Sequence, residues 1–361
     1  MPSKINIHTE WGPLKEVIVG SIFNTSDHNV DLSFKVFFND NIKDILLKKS
    51  ISLQKKLSEE RQEDLDNLAE VLNGLGIKVH RPQKLHEVKE FKTPNFTEHT
   101  SPCDNPRDQV LILGNKIIET PCIWRKRYFE NDLLKEIFYP FFLNGAPWIC
   151  APRPMMKDES YDLSYSKSNI NIEEELKQNQ DSNKFEIMFD AAQCLKFGKD
   201  ILMNVSNKNH ELGLQWLKSI IGNEYRIHPV HLCDHHIDGM LMPIAPNRLL
   251  INMGTMPQKI SLLPKQLQDW EMIQVDLACR EQYETNLAST NIYTNVFPIA
   301  PNKIITFNES TSPDPLFAKK LEKNKIDFIH VRLRHSRLFG GGAHCATLDL
   351  YREETLEDYF S

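Results

Sequence analysis

The sequence predicts an α/β fold built as a closed ring of ββαβ modules, and three observations carry that reading. Two segments repeat almost letter for letter, "PIAPNRLLIN" from Pro243 and "PIAPNKIITF" from Pro298, with looser copies "LILGNKIIET" from Leu111 and "LKFGKDILMN" from Leu195. Each joins two apolar runs through a PN, GN or GK turn, the pattern of a β-hairpin. After each hairpin come a helix-forming stretch and another short apolar run, so the unit reads strand–strand–helix–strand. The chain ends supply a fifth, split copy. Units that cannot bury a face alone must stack, and a unit shared by the two termini closes the stack into a ring. A doubly wound sheet is the competing reading, but its pattern is single strands alternating with helices.

The elements follow in chain order. "LKEVIVG" from Leu14 is an apolar strand. Leu57, Leu65, Leu68 and Leu72 recur at helical spacing in the stretch that closes on Gly74, and "IKVHRP" is the next strand. The first full copy opens on "NPRDQVLIL"; its helix is "FENDLLKEIFYPFF" and its last strand "PWICAP". Residues 155 to 183 are polar, outside the repeat, and read as a solvated surface loop or a lid. The second copy continues with "HELGLQWLKSII" and "EYRIHPV". The third has a short helix near Pro264 to Trp270 and then "MIQVDL". The fourth has "DPLFAKKLEK" and "DFIHVRL". The strand begun at Cys345 has no partner except the N-terminal strand. One domain spans residues 1 to 361.

Composition narrows the function. The chain has 361 residues, 40 % apolar and 25 % charged, as in ordinary soluble globular proteins. A net charge of −6 argues against nucleic-acid binding, which needs clustered Lys and Arg. No apolar run approaches the length of a membrane span. The N-terminal residues lack the apolar region of an export signal. Seven cysteines without a CxxC pair point to free thiols in a reducing cytosol and to no structural zinc.

The polar residues that open the hairpins carry the chemistry. They are Asp108 in the first copy, Asp190 in the second, His236 and Asp238 in the third, and Cys345 in the tail "HSRLFGGGAHCATLDL"; the fourth offers only Ser289 and Asn291. Any one alone has a bland reading: a cysteine packs in cores, and an Asp before a strand is usually a turn residue. In a ring, equivalent positions face one axis, so the five ionisable groups converge. Nucleophile, base and orienting group commonly come from separate elements, which makes Cys345 a candidate nucleophile. His236 and Asp238, two apart on a strand, point the same way. One good histidine with carboxylates and a thiol is a poor zinc set, even with His235 and His344 nearby. Three carboxylates and a thiol favour a cationic substrate group, and a planar guanidinium matches carboxylates with its fork of donors. Its carbon then lies open to the thiolate, with His236 as proton donor and Asp190 orienting the imidazole.

These residues and motifs resemble the amidinotransferases of the guanidino-modifying superfamily, which also holds the arginine deiminases. The resemblance covers nearly the whole chain, through "EWGPLKEVIVG", "PRDQVLILGNKIIETPCIWRKRYFE", "APRPMMKDESYD", "FDAAQCLKFGKDIL", "HHIDG" and "GGGAHCATLD", and the tail is most like the inosamine-phosphate amidinotransferases. It implies a five-bladed, pseudo-symmetric α/β propeller. It also implies Cys345 as nucleophile, His236 as acid and base, Asp190 as its partner, and Asp108 and Asp238 gripping the guanidinium. L-arginine would be the donor, an amine the acceptor and ornithine the first product, with no cofactor and no metal; the alternative is hydrolysis to citrulline. The oligomeric state stays open between monomer and homodimer.

The chain also departs from the family pattern. "INMGTMPQ" lacks the arginine that holds the donor carboxylate in many relatives, and Arg248 reads as a solvated turn residue. His235 stands at a position associated with acceptor choice. Ala343 replaces the usual aromatic before the "HC" pair, which implies room near the thiol, and Ser289 is a further candidate substrate contact.

Overall fold

Each hairpin turn needs one residue in the left-handed region, and the copies meet the need in two ways. Gly114 and Gly198 take it at the first turn position, with φ of 58° and 72°. In the PN turns proline cannot, so Asn247 and Asn302 take it one place later, with φ of 61° and 57°. The strands adjust with a register shift between Pro243 and Ala245 and another between Pro298 and Ala300.

The computed structural model describes residues 4–25, 27–37, 50–51, 54–164, 182–275 and 292–361. It contains five three-stranded sheets of one design. In each, an antiparallel hairpin is followed by a helix and a third strand parallel to the second. The second unit uses Val110–Leu113, Lys116–Glu119 and Trp148–Cys150, with the helix Lys135–Leu143 between the last two. The third uses Cys194–Phe197, Asp200–Asn204 and Arg226–Val230. The fourth uses Leu241–Ala245, Arg248–Asn252 and Glu271–Val275, and the fifth Phe297–Ala300, Lys303–Asn308 and Asp327–Arg332. The first unit is the split one: Leu14–Val19 pairs antiparallel with C-terminal Thr347–Arg352 and parallel with Lys78–His80, after the helix Lys55–Gly74.

Side-chain alternation closes the circuit. Val110 and Ile112 pack with Leu348 and Leu350 of the first unit, while Leu111 and Leu113 pack with Ile201 and Met203 of the third. Leu195 and Leu202 share a core with Leu250 of the fourth unit and Ile304 of the fifth. Phe297 and Ile305 share another with Val17 and Val19, back at the first. The inner strands are apolar on both faces because each face meets a different neighbour.

One polar stretch is packed at its start, and one residue reads differently in the structure. Residues 165–181 lie outside the described residues, but the start of the 155–183 stretch is packed, with Met156, Tyr161 and Leu163 buried against Ile123 and Met188. Arg248 is not a solvated turn residue: it bonds Glu271 at 2.8 Å and the Asn324 carbonyl at 2.8 Å, tying the fourth unit to the fifth. Among the described residues no helix is long and apolar enough to cross a membrane.

Candidate active site

The polar residues that open the hairpins do meet, though none of them sits on a strand. Asp108 ends a short 3-10 turn, Pro106–Asp108, just before its strand, and Asp190 precedes another, Ala191–Gln193. His236 and Asp238 lie in the irregular segment before Leu241, so the expectation that they share a strand face is wrong. Their common orientation comes from the turn, in which the Met240 and Leu241 amides donate to the Ile237 carbonyl. Cys345 likewise stands before its strand, which starts at Thr347. The glycines ahead of it are required by crowding: a Cβ on Gly341 would lie 2.8 Å from Cys345 Cβ, and one on Gly342 2.2 Å from the Phe307 ring.

His236 is the hub. One ring nitrogen lies 2.9 Å from Asp190 Oδ2 and the other 3.9 Å from Asp108 Oδ1. Burial opposes the imidazolium, but Asp108, Asp190 and Asp238 together raise its pKa to about 9. Asp190 is fully buried and also accepts from Gln109 Nε2 at 3.2 Å. Despite burial, its bond to His236 holds its carboxyl below the usual range. Asp108 binds Arg127 through Oδ2 at 2.7 Å, while Oδ1 is buried without a hydrogen-bond partner. Burial pushes this carboxyl up, against the pull of His236 and Arg127.

Cys345 is only 2 % exposed. Its thiol donates to Asp238 Oδ2 at 3.1 Å and accepts from Asn295 Nδ2 at 3.1 Å. Burial and the carboxylates of Asp238 and Asp108 push it well above the usual thiol range. Asp238 also accepts from His344 Nδ1 at 2.8 Å. Asp108, His236 and Cys345 each offer one ligand atom, all within 4.8 Å of one another. Thiolate and neutral imidazole are the ligating forms, so a metal held there would have to displace the protons of Cys345 and His236.

The remaining candidates are placed differently. His235 turns from the thiol, with Nε2 2.9 Å from the Val36 carbonyl and its ring stacked on Phe37 at 5.6 Å. Phe37 also meets His236 edge-on at 5.7 Å. Ala343 is fully buried in the apolar core that contains Phe297 and Ile305. Ser289 lies outside the described residues, as does Asn291.

The fifth unit contributes Asn295, which the sequence reading passed over. Its Oδ1 accepts from the Cys345 and Gly342 amides, both at 3.0 Å, while its Nδ2 reaches the sulfur. The signal available was position: Asn295 stands before Phe297 as Cys345 stands before Thr347 and Asp108 before Val110. His344, weighed only as a metal ligand, instead bridges Asp238 to buried Glu10, which lies 3.2 Å from its Nε2. Arg127 and Glu10 were also passed over; Glu10 finds Arg107, Lys196 and His344 only across units, while Arg127 joins nearby Glu130 to Asp108.

The ring brings a thiol, an imidazole and carboxylates from separate units to one buried point, an arrangement that could hold a cationic group. No family model matches the chain. Inosamine-phosphate amidinotransferase 1 of Streptomyces glaucescens is 31 % identical over 368 residues, covering 99 % of this chain and 99 % of that protein. The solved inosamine-phosphate amidinotransferase from Streptomyces griseus superposes with a TM-score of 0.84 at 29 % identity, covering 99 % of this chain and 100 % of that one. An amidinotransferase of the saxitoxin biosynthetic pathway from Microseira wollei gives 0.81 at 28 % identity, covering 98 % and 99 %. The chain belongs to the amidinotransferase family, enzymes that transfer amidino groups.

Proposed function

We propose that the protein moves the amidino group of L-arginine, through an intermediate bound to Cys345, to an amine acceptor in secondary metabolism, releasing ornithine. One observation carries the reading: the Cys345 sulfur, the His236 ring and the Asp108 carboxylate lie within 4.8 Å of one another in a chain of this family. The secondary-metabolic setting is supported by the relatives, one of which belongs to the saxitoxin pathway. A cytosolic place for the reaction agrees with the free cysteines found among the described residues.

A guanidinium entering between Asp108 and Asp238 neutralises the two carboxylates that hold the thiol protonated. With their field offset, the thiol gives up its proton to solvent and is left as the thiolate. Sulfur bonds to the guanidinium carbon, the bond from that carbon to the ornithine nitrogen breaks, and that nitrogen takes a proton from His236. The imidazole is left neutral and ready to act as base. In the second half, an acceptor amine bonds to the amidino carbon and gives a proton to His236. The carbon–sulfur bond breaks, and sulfur takes up a proton from solvent. His236 thus serves both halves, as acid and then as base, as expected of a ping-pong enzyme.

The test is mass spectrometry of enzyme and products with arginine and a panel of amines. Arginine alone is expected to leave an amidino adduct on Cys345 and release ornithine, and Cys345→Ala to do neither while remaining folded. An active alanine variant overturns the mechanism. Citrulline formed at full rate, indifferent to added amine, replaces the transferase reading with a hydrolase. No ornithine with any amine removes arginine as donor.

A further inference from the structure

A small cavity opens beside Asp108, about 70 Å³ in volume, enough for a short aliphatic chain or a few waters. Asp104, Asn105 and Asp108 line it, and each carries a buried oxygen without a hydrogen-bond partner: Asp104 Oδ2, Asn105 Oδ1 and Asp108 Oδ1. The three residues are 9 %, 7 % and 2 % exposed. An unmet buried acceptor is costly; Asp108 faces the amidino group in the proposed mechanism, so the oxygens on Asp104 and Asn105 are left for a second ligand rich in donors.

Burial pushes the Asp104, Asp108 and Glu130 carboxyls up, so a cation beside them is what would favour their ionised forms. Among the described lining residues, Asp104, Asp108 and Glu130 face a single guanidinium, Arg127. Arg127 is already committed, at 2.7 Å to Asp108 and at 2.6 Å twice to Glu130. His28, also on the wall, is kept neutral by burial and by Lys126. Arg61 meets Asp104 from behind, through Oδ1 at 3.4 Å, and leaves Oδ2 over. Phe37 and Trp124, stacked at 5.7 Å, complete the wall with faces that favour cations.

We propose that this cavity is an acceptor subsite for a cationic amine, one whose second ammonium group is held at Asp104 while its other amine reacts at Cys345. The proposal rests on the amidino-transfer reading and narrows its acceptor class. An ammonium supplies three donors and no acceptor, which the wall requires. A group held there stays charged, so the reacting nitrogen must be a different one. An anionic far end would meet Asp104 and an unmet Asn105 oxygen.

Three probes of similar length separate the possibilities: putrescine, n-butylamine and 4-aminobutanoate. Calorimetry on the Cys345→Ala protein reads binding without transfer, and kcat/KM with arginine as donor reads use as acceptor. Putrescine is expected to lead n-butylamine by about ten- to a hundred-fold in both, the worth of one charge-assisted contact, with 4-aminobutanoate last. Asp104→Asn is expected to erase the lead. Should that variant fail to fold around Arg61, Asn105→Asp, which adds charge to the same wall, is expected to enlarge it. Equal use of the three probes, or a lead unmoved by either variant, overturns the subsite. Putrescine binding that depends on Asp104, with no transfer to any amine, keeps the subsite and overturns the transferase reading instead.

Discussion

At Cys345, burial and the carboxylates of Asp238 and Asp108 disfavour the thiolate, while the Asn295 amide favours it. The balance leaves a resting thiol, which in the proposed mechanism a bound cation activates, so residues that touch the cation and residues that set the imidazole should fail differently. Asp108→Asn removes a buried charge with an unmet oxygen and is expected to weaken donor binding by about 3–5 kcal/mol, read as a rise in the donor dissociation constant of Cys345→Ala protein. Asp190→Asn is expected to lower kcat with a smaller change in donor binding, because Asp190 meets His236 and Gln109. The reverse pattern means that the two roles are exchanged. Titration of His236 adds a pH signature. The donor step needs the imidazolium, so kcat/KM for the donor is expected to fall as pH rises through about 9, and Asp190→Asn to move that fall to lower pH. Stability follows the same sign. The folded pKa lies above the unfolded value of roughly 6.5, so this contribution is whole below that value and is lost as pH rises through about 9. Urea midpoints across that window check it.

Hairpins, helices and third strands were legible one element at a time, because each is specified by local chemistry. The helix Pro315–Lys323 is an example, with proline at its first turn and Asp314 ahead of it accepting from the Leu316 and Phe317 amides at 2.9 and 3.1 Å. Asp314→Ala is expected to cost about 1 kcal/mol of stability without changing turnover per folded molecule, as thermal unfolding beside activity shows. The segments before the strands were less legible. His236 and Asp238 were expected on a strand because their spacing suits one, yet a turn orients them as well, and spacing alone cannot separate the two cases.

Across the whole molecule, one buried ionic cluster ties the units together beneath the thiol. Glu10 lies 2.8 Å from Lys196 of the third unit, 3.5 Å from Arg107 of the second and 3.2 Å from His344 beside Cys345. Despite burial, Lys196, His344 and Arg107 hold its carboxyl far below the usual range. Glu10→Gln strips buried Lys196 of its carboxylate partner and is expected to destabilise the fold by about 3–5 kcal/mol, seen as a lowered Tm together with lost activity. A variant of unchanged Tm shows that the cluster is incidental. The sequence by itself determined the repeat, the split fifth unit and the five ionisable residues ahead of the hairpins, because periodicity, turn chemistry and nearness to a strand are properties of neighbouring residues. Only the tertiary structure decided that Asn295 holds the sulfur, that His344 links Asp238 to Glu10, that His235 turns away, and that the resting site pairs a thiol with an imidazolium. Hydrogen-bond partners and protonation depend on burial and on charges brought from other units, and both arise only when the ring closes.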